Sequence, residues 1–481
     1  MPDGTEVTSR PAPSRGPRRG AVSALLPPVG TLPPPVGPDP GTASPAPVRR
    51  VRAALERLLG RLLARRVARR VARGGLDPAR LDLSRLTVVP EAATLPLRRT
   101  GTDPVPELAR LRATAPVHRL DLPFDTAVYL VTGAAEGRAV LADRDGFSTD
   151  VRHLFSGTGT VTAADVGGLG FTDPPDHTRL RALVAPEFTR ARLQRLVPAV
   201  EATVARQLDV LAAAGSPADL ARHVSSPVPM RTICDLLGLE ADQQLVTRLG
   251  TRRFDATHGS VGAFGAVSTQ RRLLFAAVAA QRRSPGDGLI GRIVREHGDA
   301  VSDAELAGLA DGVVTGGYET TAAMISLGTL VLLRDPASAA LVREGSPADV
   351  DRVVDELLRL LSVVQVAFPR FARSDRDLSG HRLRAGDVVL VSLSGTDRDP
   401  AWAGPDPDVI DPARTTRGGH LAFGHGIHRC VGAELARLEL RIALPALLRR
   451  FPDLALAVPP GELAFRRLAF VYGVDALPVR F

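Results

Sequence analysis

The residues best suited to chemistry lie close together, in Phe423-Gly424-His425-Gly426-Ile427-His428-Arg429-Cys430-Val431-Gly432. Glycines at 424 and 426 let the backbone turn tightly beside a ligand. A single cysteine follows, and then a run with helical propensity and a buried face: Ala433, Leu435, Ala436, Leu438, Leu440 and Ile442. A cysteine at a helix N-terminus is polarised toward thiolate, and a thiolate is a strong metal ligand. A lone cysteine is more often a buried structural residue. Zinc held by His420, His425, His428 and Cys430 is another alternative, but the spacing lacks the two separated pairs of common zinc sites.

A second cluster is Gly316-Gly317-Tyr318-Glu319-Thr320-Thr321. Two adjacent glycines weaken a helix by roughly 1 kcal/mol each. They make sense if something flat approaches the backbone or the helix bulges there. Glu319 and Thr320 set an acid and a hydroxyl beside that gap. The bland alternative has Thr320 bonding its own helix carbonyl and Glu319 in a core ion pair. His177 and Arg181, four apart, share a helix face after Asp173-Pro174-Pro175, and arginine suits a carboxylate geometrically. Glu356 and Arg359 stand at i and i+3, a common and weak surface pairing by itself.

These groups need elements to position them. Residues 306–333 carry only Asp311 and Glu319 as charges. Glu319 would sit inside any membrane span at a cost of several kcal/mol, and Ser302 with Glu305 makes a capping box. The segment therefore reads as a central helix, apolar all round, of a large globular protein. A helix is expected from about Ala348 to Leu361, and strands at Ala127–Gly133 and Asp387–Leu393. From residue 76 the chain reads as mostly helical, without internal repeats.

Residues 423–432 resemble the haem-binding loop of the cytochrome P450 family, F-G-x-G-x-H-x-C-x-G, at every fixed position. Residues 316–321 are similar to its oxygen-activation motif, 356–359 to its E-x-x-R, and 177–181 to its H-x-x-x-R, all in family order over roughly 90–481. The resemblance implies a mostly α fold with a small β region, a triangular helical prism around haem b. Cys430 would be the axial thiolate, which favours O–O cleavage, with Phe423 covering the sulfur. His177, Arg181, Arg370 and His428 would bind the haem propionates, and the Glu356–Arg359 pair would be buried and structural. Glu319 and Thr320 would relay the protons that O–O cleavage needs. The implied reaction inserts one atom of O₂ into a hydrophobic small molecule, such as a secondary metabolite or xenobiotic. Oxidative coupling, desaturation or peroxide-driven oxidation is the alternative. Two departures stand out. Ile410 replaces a common aromatic, and Tyr318 holds a site often occupied by His, where it would narrow the distal pocket or donate a hydrogen bond into it. The pocket is expected from about Leu154 to Thr172, from a region near 225–275, from Val313, Gly316 and Gly317, from Val363–Phe368 and from Phe470-Val471-Tyr472.

The chain has 481 residues, 44% hydrophobic and 23% charged, which excludes a disordered chain, a collagen and a polytopic membrane protein. Two cysteines exclude a disulfide scaffold and suit a reducing, cytoplasmic setting. Every one of the 61 basic residues is arginine. Residues 1–75 hold 14 Arg and 4 acids, a net of +10 against +9 overall, so the rest is near −1 and offers no nucleic-acid-binding balance. Residues 1–47 read as a disordered Pro/Gly-rich extension. Residues 48–75 read as a basic amphipathic helix, whose stripe over 48–73 would pack on the body or touch an anionic membrane; a start placed too far upstream is the other account. Residues 76–481 form the catalytic domain. No fused flavin or iron–sulfur domain is expected within this length, so electrons would come from a separate ferredoxin and its reductase. Arg429, beside the cysteine, would help dock an acidic partner.

Overall fold

The computed structural model describes residues 91–122, 126–151, 169–239, 269–416 and 418–481. The expected extension, the basic helix over 48–73, and the pocket segments 154–168 and 240–268 lie outside the described residues. Seven helices bear on the site: α1 (Ala134–Ala142), α2 (Asp176–Val184), α3 (Val197–Ala213), α4 (Pro227–Leu237), α5 (Asp303–Leu332), α6 (Pro347–Leu361) and α7 (Ala433–Arg450). The main sheet comprises β1 (Val117–Leu120), β2 (Val128–Val131), β3 (Phe147–Ser148), β4 (Arg370–Ala372) and β5 (Val388–Val391), in the order β1-β2-β5-β4-β3. β2 and β5 run parallel, with Val128 opposite Val388 and Val131 opposite Val391, and the other pairs are antiparallel. Both parallel strands are β-branched runs (VYLV and VVLV), residues that pack well on a pleated surface.

The central helix α5 begins where its cap signals say. Glu305 N–H donates to Ser302 Oγ at 3.3 Å, and Ser302 N–H donates to Glu305 Oε2 at 2.9 Å. Over 30 residues at about 1.5 Å each, α5 runs about 45 Å through the protein. It packs against α4, α6, α7 and the helix Thr269–Arg283, which explains its apolar composition on every side. No single helix among the described residues is long and apolar enough to cross a membrane; α5 passes only together with Pro336–Glu344, from which it bends by 117°.

One stripe of α5 escapes burial. Gly312 and Gly316 are exposed, and Val313, Gly317 and Thr320 are half-buried, while Thr321–Leu332 are buried without a break. The spacing keeps the stripe on one side of the helix. The two glycines at its centre have different reasons to be there. A Cβ at Gly317 would lie 2.5 Å from Ile233 Cδ1, so a larger residue there would have to push the Ile233 side chain of α4 aside. A Cβ at Gly316 would meet nothing within 4 Å.

On α6 the i,i+3 pair is buried. Arg359 Nε and Nη2 donate to the two Glu356 oxygens at 2.8 and 2.7 Å. Arg359 Nη1 also donates to the carbonyls of Asp397 and Pro407, both at 2.8 Å. A third member, Arg414, donates through Nε to Glu356 at 3.0 Å and through Nη1 to the Ala403 carbonyl at 2.8 Å. This network pins α6 to the long segment leading to the cysteine loop.

Candidate active site

The cysteine loop is fixed from several sides. Cys430 N–H donates to the Phe423 carbonyl at 2.8 Å. Gly424 and Gly426 adopt φ +69° and +72°. At Gly426 a Cβ would lie 2.4 Å from the Leu141 carbonyl oxygen, so the end of α1 presses directly on this turn. The Cys430 side chain is accessible, yet protein atoms crowd its sulfur. Burial therefore raises its thiol pKa, against the lowering effects of Gly432 N–H and of Arg429, Arg181 and Arg437. Bound to a metal ion, such a thiol would be held as the thiolate. Arg437 lies 4.8 Å over the Phe423 ring and donates to Asp355 at 2.8 Å.

The three loop imidazoles face different partners. His420 Nε2 is 3.6 Å from Asp355, His425 Nδ1 is 3.3 Å from Arg138, and His428 Nε2 is 3.3 Å from Thr149 Oγ1. Among the described residues no three His, Cys, Asp or Glu side chains converge as a metal-binding group, which leaves the zinc alternative without a site.

α2 stands between α5 and the cysteine loop. Arg179 pairs with Glu305 at the start of α5, and Arg181 donates to the Arg429 carbonyl at 2.8 Å. The His177 ring lies 4.3 Å from that of His428. Both nitrogens of His177 and Nδ1 of His428 are buried without a hydrogen-bond partner. Arg370, buried on β4, completes the cluster and donates to the Phe368 carbonyl at 2.9 Å. Burial, then Arg370 and His177, push His428 down to about 3. Burial and Arg181 lower His177, and burial lowers Arg370 to about 10. Arg370 and His177 thus make His428 harder to protonate, and Arg181 does the same to His177, so the place these basic groups share is complementary to anions.

Asp173, seen in sequence only as the residue before two prolines, organises this cluster. It accepts from Ser148 Oγ at 2.5 Å, Thr149 N–H at 3.0 Å and Arg373 at 2.6 Å, and its carbonyl accepts from His177 N–H at 2.9 Å. Thr149 in turn meets His428.

Glu319 and Thr320 both make the local contacts that the bland alternative describes. Thr320 Oγ1 donates to the Gly316 carbonyl at 2.6 Å. Glu319, 2% exposed, accepts from Arg466 Nη1 at 2.5 Å. Tyr318 is a correction. It is 2% exposed, faces away from the accessible stripe, and its hydroxyl meets Ser226 at the start of α4. It therefore neither narrows the stripe's surroundings nor donates into them. Tyr472 is buried, with its hydroxyl donating to the Gly101 carbonyl at 2.7 Å. Of the expected wall segments, Val364, Ala367 and Phe470 are half-buried and Phe368 exposed, whereas Val363, Gln365, Val366 and Val471 are buried. Phe171 packs edge-on to Phe368 at 4.6 Å.

The family model described as Cytochrome P450 matches residues 350–456. Cytochrome P450 165C4 of Amycolatopsis orientalis is 42% identical over 389 residues, spanning 79% of this chain and 95% of that protein. The chain belongs to the cytochrome P450 family. Cytochrome P450 monooxygenase PikC of Streptomyces venezuelae is 40% identical over 79% of this P450 and 92% of its own length. Among solved structures, OxyC, described as a cytochrome P450 implicated in an oxidative C–C coupling reaction during vancomycin biosynthesis, superposes with a TM-score of 0.71 at 40% identity, over 80% of this chain and 96% of that one. OxyB from Actinoplanes teichomyceticus gives 0.68 at 40% identity, over 80% and 99%.

As a P450 monooxygenase, the protein takes haem b as its cofactor. Its residues fit that group on three counts. An accessible cysteine is held on a rigid turn. Two arginines, Arg181 and Arg370, and the neighbouring imidazoles of His177 and His428, with buried nitrogens unpartnered among the described residues, suit two propionates. On the glycine-lined stripe of α5 no atom of the described residues lies within 4 Å of where a Cβ at Gly316 would point.

Proposed function

We propose that this P450 binds haem b through Cys430, with His177, Arg181, Arg370 and His428 holding the propionates and Phe423 beside the sulfur, and oxidises a hydrophobic small molecule. The observation that carries this reading is the cluster of basic side chains next to the cysteine loop, the arginines Arg181 and Arg370 beside the stacked rings of His177 and His428, with both His177 nitrogens buried and unpartnered among the described residues. Bound through a thiolate, haem supplies the redox chemistry that cleaves O₂. The protein residues do the rest. The half-buried Val313, Val364 and Ala367 give an apolar, water-poor surface for the substrate. Thr320 keeps its hydroxyl on the Gly316 carbonyl, which leaves the oxygen lone pairs to accept a hydrogen bond on the open stripe. Glu319, one residue back, is the acid that would pass a proton toward Thr320 once its contact with Arg466 loosens and the Thr320 hydroxyl turns from the Gly316 carbonyl. Electrons come from a separate ferredoxin and reductase, and the exposed Arg429 contributes to that docking face.

A second reading has one specific support. Relatives at about the same level of similarity include OxyC, whose described role is an oxidative C–C coupling. Coupling removes two hydrogens from a substrate and adds no oxygen to it. Turnover under oxygen-18 gas separates the readings: one heavy oxygen in the product supports insertion, and a product two hydrogens lighter without label supports coupling. The haem assignment itself is tested by reducing the protein under carbon monoxide. The long-wavelength Soret band of a thiolate-ligated haem should appear in the wild type and vanish in Cys430→Ala. Haem without that band in the wild type would overturn Cys430 as ligand.

A further inference from the structure

Arg466 belongs to a hairpin near the C-terminus. Phe465 bridges Val474, Arg466 N–H donates to the Gly473 carbonyl at 2.9 Å, and Asp475 N–H donates to the Ala464 carbonyl at 3.0 Å. The hairpin lies flush on α5. A Cβ at Gly473 would come within 3.3 Å of Ala323 Cβ, one turn beyond Glu319. From this platform the Arg466 side chain, 18% exposed, donates to Glu319 at 2.5 Å through Nη1 and to Asp475 at 3.2 Å through Nε. Asp475 is 68% exposed. A buried acid, a half-sheltered cation and a solvated acid therefore stand in line from the core to the surface.

We propose that Arg466 is a positioning residue for Glu319, holding the carboxylate turned toward the C-terminal hairpin and setting how readily it takes up a proton destined for Thr320. This rests on the reading of Glu319 and Thr320 as the proton-delivering pair. Glu319 lies about 100° around the helix from Thr320, off the accessible stripe. An arginine does not release its protons, so Arg466 is a lock and not a carrier. An opposite charge in contact holds an acid ionised. Glu319 can accept a proton only as that contact loosens, and Asp475 competes for the same guanidinium. Tyr318 is the neighbour of Glu319 on α5. On the helices packed against α5, Glu439 of α7 is turned to Thr232, and Arg231 of α4 pairs with Asp235.

The test uses the haem-loaded protein and the variants Arg466→Gln, Arg466→Lys, Asp475→Asn and Glu319→Gln. Infrared difference spectra over a pH series report the protonated carboxyl stretch of Glu319, assigned by its loss in Glu319→Gln. A second readout is the pH dependence, with its solvent deuterium isotope effect, of product formed per electron pair consumed. In Arg466→Gln the Glu319 titration should move up by about 1–3 pH units, the size expected for losing an adjacent opposite charge. Arg466→Lys should restore it. Asp475→Asn should move it the other way, by less, because Arg466 is then left to Glu319 alone. General damage to the fold cannot produce opposite shifts. An unchanged titration in Arg466→Gln, or shifts of one sign in both variants, would overturn the proposal. Loss of the thiolate Soret band in the wild type would instead overturn the proposed function, and the infrared titration would still report on the lock.

Discussion

Glu439 on α7 is buried in the main core, and burial pushes its carboxyl up to about 8. Its partner is Thr232, whose hydroxyl already donates to the Val228 carbonyl at 3.0 Å. A hydroxyl with its one proton committed can only accept from Glu439, so the neutral, protonated acid is the form that fits. The native state then holds a proton that the unfolded chain releases near 4.5. Stability from this group is full below about 4.5, falls as pH rises toward about 8, and is level above it. At about 1.4 kcal/mol per unit, the whole window amounts to a few kcal/mol. Glu439→Gln keeps the shape and a donor for Thr232 but does not titrate. Urea midpoints of both proteins from pH 5 to 9 give the difference in stability, in which all other groups cancel. The variant should gain on the wild type steadily across the window and be the more stable at the alkaline end. A difference that does not change with pH would refute the protonated-acid account.

Four further substitutions separate local causes. Gly426→Ala drives a Cβ into the Leu141 carbonyl at 2.4 Å, whereas Gly424→Ala meets nothing and pays only for its positive φ, about 1–2 kcal/mol; the first should abolish haem uptake, read by absorbance per protein, and the second should leave most of it. Glu356→Gln leaves Arg359 and Arg414 as uncompensated buried cations and should cost about 3–5 kcal/mol in urea unfolding, far more than a surface pair. Arg437→Gln removes a cation that bears on Cys430 and stacks on Phe423, and should make the haem reduction potential more negative by tens of millivolts, about 59 mV being a tenfold change in a one-electron equilibrium.

What was legible in the sequence was local. The α5 start follows from Ser302 and Glu305, β2 and β5 from their β-branched runs, and the cysteine turn from its glycines. What was missed depends on contacts between distant segments. Arg414 joins Glu356 from 58 residues away, and Arg466 reaches Glu319 across 147. No pattern in either neighbourhood announces its partner. Tyr318 is a different kind of miss. It lies about 200° around the helix from Gly316, so helical phase alone sets it opposite the glycine stripe. Asp173 stood in the sequence only as the residue before Pro174 and Pro175, and nothing there told that it would hold Thr149, which meets His428.

The parallel pairing of β2 with β5 has a consequence for synthesis. The two strands meet across 260 residues of chain. At about 5–20 residues per second, a ribosome takes roughly 13–50 s to deliver β5 after β2 has emerged. Through that interval β2 has β1 on one side and an open, valine-rich edge on the other. The cysteine loop emerges later still, and α7 after it. Haem capture must therefore follow translation of nearly the whole domain, and the nascent chain must be shielded from edge-to-edge association while it waits.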